Sequence, residues 1–501
     1  MPITVLIANR GEIAIRIIRS CQLLNMKTIA LFIDNESTSL HVKMADEAYS
    51  LGDGTVQETY LNIPKIIEIA LRSGADAIHP GYGFLSESSE FAKIVEKNSL
   101  IFIGPSATIL ENLGDKIKAK QYAREVGIPT IPGSEGYVNT LEEAEKVVSE
   151  VGYPIIIKSA FGGGGRGMEI VNSPETLEIS IMGCQTISER FFGRKEVFIE
   201  KFIASPRHIE IQFIADNYGN TIHLGDRECT IQRMHQKVIE EAPSFLSAEF
   251  REDLGEKVCN LARNISYSNA GTAEFLWKHG GVLFNEVNPR IQVEHPVTEM
   301  ITGIDIVTQQ LRIATGEKLA YKQEDVKFRG HAIEYRINAE DPLQSFYPQS
   351  GVVNELTIPG GNFVRFDTFI GPSSRVSDKF DSLIGKLIIW GENRKEVIER
   401  SQLALKELSI KGIITNIGLH QAILETEEFN IRDLTTDFLE RNNIQQILIN
   451  YEKTKLAAVY SVYEIHKQKL DSFQMHIHKT KKLTNNRWKQ QSKIEQHGDF
   501  R

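Results

Sequence analysis

Cysteine is scarce in this chain: four in 501 residues, at Cys21, Cys184, Cys229 and Cys259, far apart and never as a CxxC pair. That spacing argues against a disulfide framework or a structural zinc site and points to a reducing compartment. No apolar run approaches the roughly 18 residues that a bilayer span requires. The opening residues, MPITVLIANRGEIAIR, set no basic segment ahead of their apolar stretch, so they read as a strand and not as a secretory signal. A basic excess is also lacking. Lys plus Arg number 57 against 66 Asp plus Glu, a net charge of -9, which argues against a general binder of nucleic acid or of a membrane surface. A cytoplasmic location is the expectation. Two fingerprints are absent as well: no GxGxxG follows the first strand, and no GxxxxGK[ST] occurs anywhere, so neither a dinucleotide fold nor a Walker loop is indicated.

What is present is ordinary globular composition, 41% apolar and 25% charged, over a length that suits two to four domains. Short apolar runs at 3–8, 28–33, 75–78 and 100–103 alternate with helical periodicity at 11–18, 63–72 and 88–97, the signature of a parallel sheet with crossover helices. A second α/β unit follows, with helices over 115–126 and 141–150 and a strand over 153–158. From 207 to 290 the pattern is strand-rich around one helix near 248–266. A third unit opens near His331, again strand-rich, with a helix over 394–408. From Tyr451 onward the composition changes to 11 basic against 5 acidic residues, with almost no Gly or Pro. This tail reads as a solvated helix or a frayed terminus, a docking arm for an acidic partner being the less favoured reading.

Three clusters carry chemistry. The first is the loop Gly162, Gly163, Gly164, Gly165, Arg166, which follows a strand ending at Lys158. Glycines there expose backbone N–H groups, and with the nearby ammonium they suit the oxygens of a polyphosphate. The second is a hairpin, Thr272–Trp277 returning as Val282–Asn288. It sets Glu274 opposite or nearly opposite Glu286, with Asn288 on the same face. Facing like charges destabilise a hairpin unless something neutralises them, and a hard divalent cation on two carboxylates and an amide oxygen would do so. The third is the polar run Asn288–Pro296, with Arg290 as a cation for a small anion and Glu294 as a carboxylate able to act as a base. Residues 225–237 add further polar donors.

IANRGEIA (7–14), HPGYGFLSE (79–87), GDK (114–116), IIKSAFGGGGRGM (156–168), RHIEIQ (207–212), RECTIQRMHQK (227–237) and NEVNPRIQVEHPVTEMITGIDI (285–306) occur together and in order. GHAIEYRINAEDP (330–342) and FDSLIGKL (380–387) follow them. This set resembles the biotin carboxylases of the ATP-grasp superfamily, over about the first nine-tenths of the chain. The resemblance implies an α/β and α+β architecture. A Rossmann-like parallel-sheet domain spans 1–113. An ATP-grasp domain spans 114–330, with a mobile glycine-rich lid over about 131–203. A mixed, β-rich C-terminal domain covers 331–446, and 447–501 is a basic tail.

By the same resemblance, the reaction is carboxylation of the biotin N1′ nitrogen by bicarbonate, driven by MgATP (or MnATP). Lys116 and Lys158 are expected to hold ATP phosphates under the Gly162–Gly165 loop. Glu200, Lys201, Phe202 and Ile203 are expected to form the adenine hinge, with His208, Gln232 and His235 near ribose or phosphates. Glu274, Glu286 and Asn288 are the implied metal ligands. Lys237, Arg290, Gln292 and the Val293 backbone are implied for bicarbonate, with Glu294 as general base. Arg336 is implied to stabilise the enolate-like biotin, and Tyr82 to lie beside its ring.

Two positions depart from the family pattern. Met234 stands where a second Arg is usual, and Asp378-Lys379-Phe380-Asp381 replaces PYYD. The first is expected to alter nucleotide or anion affinity, the second to concern packing or subunit contacts. No Ala/Val-Met-Lys-Met acceptor tetrapeptide is present. Biotin is therefore expected on a separate carrier protein. The carboxyltransferase is expected to be a separate subunit too, with an acyl-CoA (acetyl- or propionyl-CoA) as final acceptor. A two-subunit pyruvate carboxylase and a catalytically silent nucleotide-binding scaffold are the alternatives, and a homodimer is expected from the family.

Overall fold

The computed structural model describes residues 2–161, 167–234 and 236–495. Four short strands begin the chain: β1 Thr4–Ile7, β2 Lys27–Phe32, β3 Glu47–Ser50 and β4 Ala77–His79. With β5, Ile101–Phe102, they form a parallel sheet in the order β3-β2-β1-β4-β5. The crossovers are helical, as parallel pairing demands. Three helix starts carry a side-chain cap: Asn62, Ser88 and Ser106 accept a first-turn amide. Val5, Leu6, Ile7, Ile29 and Leu31 are wholly buried between the two helical layers, so these strands read as unbroken apolar runs.

Asp115 caps the helix Lys116–Glu125 in the same way. Helix Leu141–Val151 starts with a full capping box between Thr140 and Glu143. Strands β6 Ile155–Ser159, β7 Met168–Val171 and β8 Val197–Lys201 then make a small antiparallel sheet in the order β7-β6-β8.

The large sheet carries the site. It comprises β9 Arg207–Ala215, β10 Thr221–Arg233, β11 Gln236–Ala242, β12 Asn269–Lys278, β13 Gly281–Asn288 and β14 His331–Asn338, extended by strands Leu383–Gly391 and Val364–Thr368. The order is β13-β12-β9-β10-β11-β14, then 383–391 and 364–368, antiparallel throughout. The compositional change near His331 is thus not a break in the sheet, because β14 pairs with β11 from Ile239↔Tyr335 to Ala242↔Ala332.

Period-two alternation sorts the sheet's two faces. On β9, Ile209, Ile211 and Phe213 join Phe275, Phe284, Val258 and Leu261 in an apolar core, while His208, Glu210 and Gln212 take the intervening positions and are equally buried. Helices Leu177–Phe192, His295–Thr302 and Ile306–Ala314 escape the periodicity reading. The first leaves Ile179 and Met182 exposed beside buried Leu177 and Ile181. The other two bury polar residues such as Thr298, Glu299, Gln309 and Gln310 along with apolar ones.

Residues 443–501 form a unit separate from 1–442. It contains one 52-residue helix, Ile444–Glu495. Among the described residues, no helix is long and apolar enough to cross a membrane.

Because β11 and β14 tie residues 207–391 into one sheet, its two ends should unfold together. Ile388, fully buried against Ala242, Val297 and Ala332, tests this. Ile388→Ala should cost about 2–5 kcal/mol. In urea titrations of variants retaining only Trp277 or only Trp390, one at each end, the midpoints should coincide and shift equally. Separate midpoints would show two independent units.

Candidate active site

The polar face of the large sheet, the loop Pro289–Glu294 and the N-terminal domain meet in a cluster of buried charges. Arg227, on β10, is completely buried. It donates to Glu210 (3.0 Å), Gln212 (2.7 Å), Thr272 (3.1 Å) and Gln292 (2.5 Å), joining three strands to the loop. Lys237, at the start of β11, donates to Glu294 at 2.7 Å, to Glu274 at 2.9 Å and also to Glu210. Arg336, on β14, donates to Glu294 at 2.9 Å through one nitrogen and to Glu240 through Nε.

Glu294 is thus gripped from two sides. Burial alone would raise its carboxyl, but Lys237, Arg336 and Arg227 outweigh that and hold it well below the usual carboxylate range. It is ionised at neutral pH, with one oxygen on each cation. Lys237 and Arg336 also line an open pocket of about 60 Å³, with Arg233, Gln236, Asn338 and Phe346 among its other walls.

The hairpin has the geometry its sequence implies. Glu274 and Glu286 are register partners, and Thr272 faces Asn288. The charges facing the two carboxylates are cations of the chain: Lys116 bonds Glu286 at 2.9 Å, and Lys237 bonds Glu274. His208 lies 3.2 Å from both Glu210 and Glu274. Burial would lower the His208 imidazole, yet these carboxylates raise it to about 9. Asn288 and Gln292 both donate to Glu274, at 2.7 and 2.8 Å. Two carboxylates with an amide alongside are hard oxygen donors on one face, a set that fits a divalent cation such as Mg²⁺.

Among the other expected residues, Lys158 bonds Glu200 at 2.7 Å, and so does Lys120. The Glu200 side chain is therefore buried between two ammonium groups. The amides of Lys201 and Phe202 are taken by Pro132 and Pro154, and Ile203 follows in the link to β9. Gln232 donates to the Cys229 carbonyl at 2.9 Å. Arg290 bonds Glu87 at 2.5 Å and Asn288 at 3.1 Å. Tyr82 donates to Glu12. Gly162, Gly163, Gly164, Gly165 and His235 lie outside the described residues.

The two departures from the pattern also have positions. Met234 sits in the turn between β10 and β11, 78% exposed, with φ +47°. Phe380 packs under the Arg10 guanidinium, 4.2 Å from it, and edge-on to Tyr60 and Phe84, a packing role. The Lys379 ammonium makes an exposed contact with Asp53.

Sequence reasoning missed several members of the cluster. Glu210, Arg227, Glu12, Glu334 and Lys386 lie inside the quoted motifs, but no role was drawn for them. Lys386 is fully buried, bonding Glu12 at 3.0 Å and the Val293 carbonyl at 2.8 Å. It thereby fixes the peptide at Val293. Glu240 and Glu334 are register partners on β11 and β14, both fully buried. Neither oxygen of Glu334 has a hydrogen-bond partner among the described residues. Burial drives the Glu334 carboxyl well up, and raises that of Glu240 to about 7 despite Arg336. The available signal was a charge at an inward position of an apolar strand, as in LIGKLIIW.

Comparison with known proteins accords with this site. Three family models match in order: "Biotin carboxylase, N-terminal domain" over 1–110, "Carbamoyl-phosphate synthase L chain, ATP binding domain" over 115–322, and "Biotin carboxylase C-terminal domain" over 334–441. The chain is 48% identical to a biotin carboxylase of Nostoc sp. over 441 residues, 88% of this chain and 99% of its relative. It is 46% identical to the 2-oxoglutarate carboxylase small subunit of Hydrogenobacter thermophilus, covering 87% of this chain and 93% of that one. Among solved structures, the biotin carboxylase domain dimer of that organism's 2-oxoglutarate carboxylase, in complex with MgADP, ADP and bicarbonate, superposes with a TM-score of 0.86. The two are 45% identical, over 89% of this chain and 98% of that one. The biotin carboxylase part of a pyruvate carboxylase, 47% identical, superposes with a TM-score of 0.76 over 89% of this chain and 99% of that one. The chain belongs to the biotin carboxylase family of ATP-grasp ligases.

Proposed function

We propose that this chain carboxylates the N1′ of biotin on a separate carrier protein, using MgATP and bicarbonate by way of carboxyphosphate, as the first half-reaction of an acyl-CoA carboxylase. The observation that carries the reading is Glu294 held ionised between Lys237 and Arg336 at the edge of a pocket lined by both cations. A base so placed takes the proton of bicarbonate, and the bicarbonate oxygen then attacks the γ-phosphorus of ATP. Lys237, Arg290, Gln292 and the Val293 amide are the groups proposed to hold bicarbonate. Lys386, by fixing the Val293 carbonyl, orients that peptide.

Lys116 and Lys158, whose carboxylate partners are Glu286 and Glu200, are proposed to turn to the phosphates when ATP is bound. Glu274, Glu286 and Asn288 would hold the metal, which neutralises phosphate charge. Carboxyphosphate breaks down to CO₂ and phosphate, and the phosphate removes the N1′ proton. Arg336 then faces the negative oxygen of biotin. Its guanidinium stays cationic and offers a planar fork of donors. Tyr82, whose hydroxyl is tied to Glu12, would flank the ring.

The acyl-CoA acceptor and a homodimeric state belong to the same proposal. Relatives named for pyruvate and 2-oxoglutarate carboxylases align over most of this chain as well, so likeness alone leaves the acceptor open. Phosphate release from MgATP, with and without bicarbonate and free biotin, tests the reading. Release should require bicarbonate and rise with biotin. Release indifferent to both, even with the biotinylated carrier added, would favour the silent scaffold. Transfer to acetyl-CoA, propionyl-CoA or pyruvate in the reconstituted complex identifies the acceptor.

Glu294→Gln should lower bicarbonate-dependent release by about 10²–10⁴-fold while ATP binding, read by calorimetry, is retained. Arg336→Met should impair carboxylation of biotin far more than ATP binding, and equal damage to both would overturn its role.

Glu240 adds a pH dependence. Its folded carboxyl keeps a proton to about pH 7, whereas an unfolded glutamate releases it near pH ~4.3. Within that window the folded state binds more protons, so this group makes stability fall as pH rises. Glu240→Gln should flatten that fall in melting temperatures, leaving the acid-side loss from Glu274 and Glu294 in place. An unchanged profile would exclude Glu240 as its source.

A further inference from the structure

Residues 444–495 contain neither Gly nor Pro and form a single helix, about 78 Å long at 1.5 Å per residue. The third family model ends at residue 441, before this helix begins, so a role outside the catalytic body is indicated. A helix gains little stability by itself in water; most comes from burying an apolar face. Here that face is open. Leu456, Val459, Tyr463 and Leu470 are 68%, 68%, 59% and 50% exposed. They recur at steps of three, four and seven, the a and d positions of a heptad, with His466 at the intervening d. Tyr460 and Val462 widen the stripe on either side and are also exposed.

Charge defines what can cover it. Lys467 and Lys469 border the stripe at the e and g positions, whereas Glu464 and Asp471 both fall at b, away from the seam. Beyond them, Lys479, Lys481, Lys482, Arg487, Lys489 and Lys493 follow with no acidic residue among them before Glu495. A second copy of this helix would offer Lys467 and Lys469 no carboxylate, because its e and g positions from Lys453 to Gln490 hold no acidic residue. A helix with apolar a and d residues and Glu or Asp at e and g would meet both the seam and its rim.

We propose that Ile444–Glu495 is a docking arm whose stripe from Leu456 to Leu470 pairs with an acidic amphipathic helix of a partner protein. The need for such a partner rests on the split-carboxylase reading, in which carrier and carboxyltransferase are separate chains. A tethering helix would raise their effective concentration at the site.

The test uses the full chain and a fluorescent synthetic peptide of about four heptads, with Leu at a and d and Glu at e and g. A matched peptide carries Lys at e and g. Anisotropy should show saturable, salt-sensitive binding of the Glu peptide and none of the Lys peptide. Val459→Glu combined with Tyr463→Glu should weaken binding by about tenfold or more, since a buried unpaired carboxylate is costly. Lys467→Glu with Lys469→Glu should reverse the preference between peptides, which a merely unfolded arm would not do.

Bicarbonate-dependent phosphate release should be unchanged in all four substitutions. Its failure in the unaltered chain would count against the catalytic reading, while peptide binding is read independently. The proposal is overturned if the Glu peptide does not bind, if both peptides bind alike, or if the substitutions change nothing. It is equally overturned if phosphatidylserine vesicles compete the peptide away. A smaller assembly in sedimentation after removal of 443–501 would assign the stripe to self-association instead.

Discussion

Arg227 is wholly buried and reaches five polar partners on two neighbouring strands, a loop and a helix, and the architecture of the site follows from that one guanidinium. A buried cation is tolerated only when its donors are used and its charge is met. Glu210 supplies the charge, while Gln212, Thr272, Gln292 and Thr298 use the remaining donors. Because Gln292 lies in the loop that leads to Glu294, the same constraint positions the proposed base. Lys237 then shares Glu210 with Arg227 and bonds Glu294 itself.

Lys116 on Glu286, Lys158 on Glu200 and Arg290 on Glu87 are ion pairs whose cations, in the function proposed above, would exchange a carboxylate for a phosphate or carbonate oxygen. The carboxylates keep these cations oriented, so little reorganisation would be left for the moment of reaction. Glu240 and Glu334 play a different part. Two facing, buried carboxyls beside Glu294 cannot all ionise without excess negative charge, and a retained proton relieves it. Arg336 thereby divides its donors between a fixed anion, Glu294, and a carboxyl that titrates near neutrality.

The motifs around Glu294, Glu274 and Glu286 were legible because short spacing along a hairpin dictates facing. With a turn over Lys278–Gly281, Glu274 and Glu286 were expected opposite or nearly so, and a bulge between the pairs Phe275↔Phe284 and Glu274↔Glu286 makes them partners. The helices after Ser88 and Asp115 were legible from their apolar period, whereas helix Ala107–Gly114, capped by Ser106, was not anticipated. Helices His295–Thr302 and Ile306–Ala314 were not legible either, because at eight and nine residues they carry too few turns for a period to stand out. Glu240, Glu334 and Lys386 could not be given roles either. A charged residue inside an apolar strand looks the same whether it faces a partner cation or an edge.

The amino-acid sequence by itself determined the class of fold, the order of its units, the hairpin carboxylates and the family resemblance, since these depend on residue type and on separations of a few positions. Only the tertiary structure decided which charges neutralise one another. It brought Glu12 and Tyr82 to Lys386 and Val293 across some 200 to 370 positions of chain, and ran a single sheet through the compositional change near His331. Those outcomes rest on long-range strand register, which local pattern does not encode.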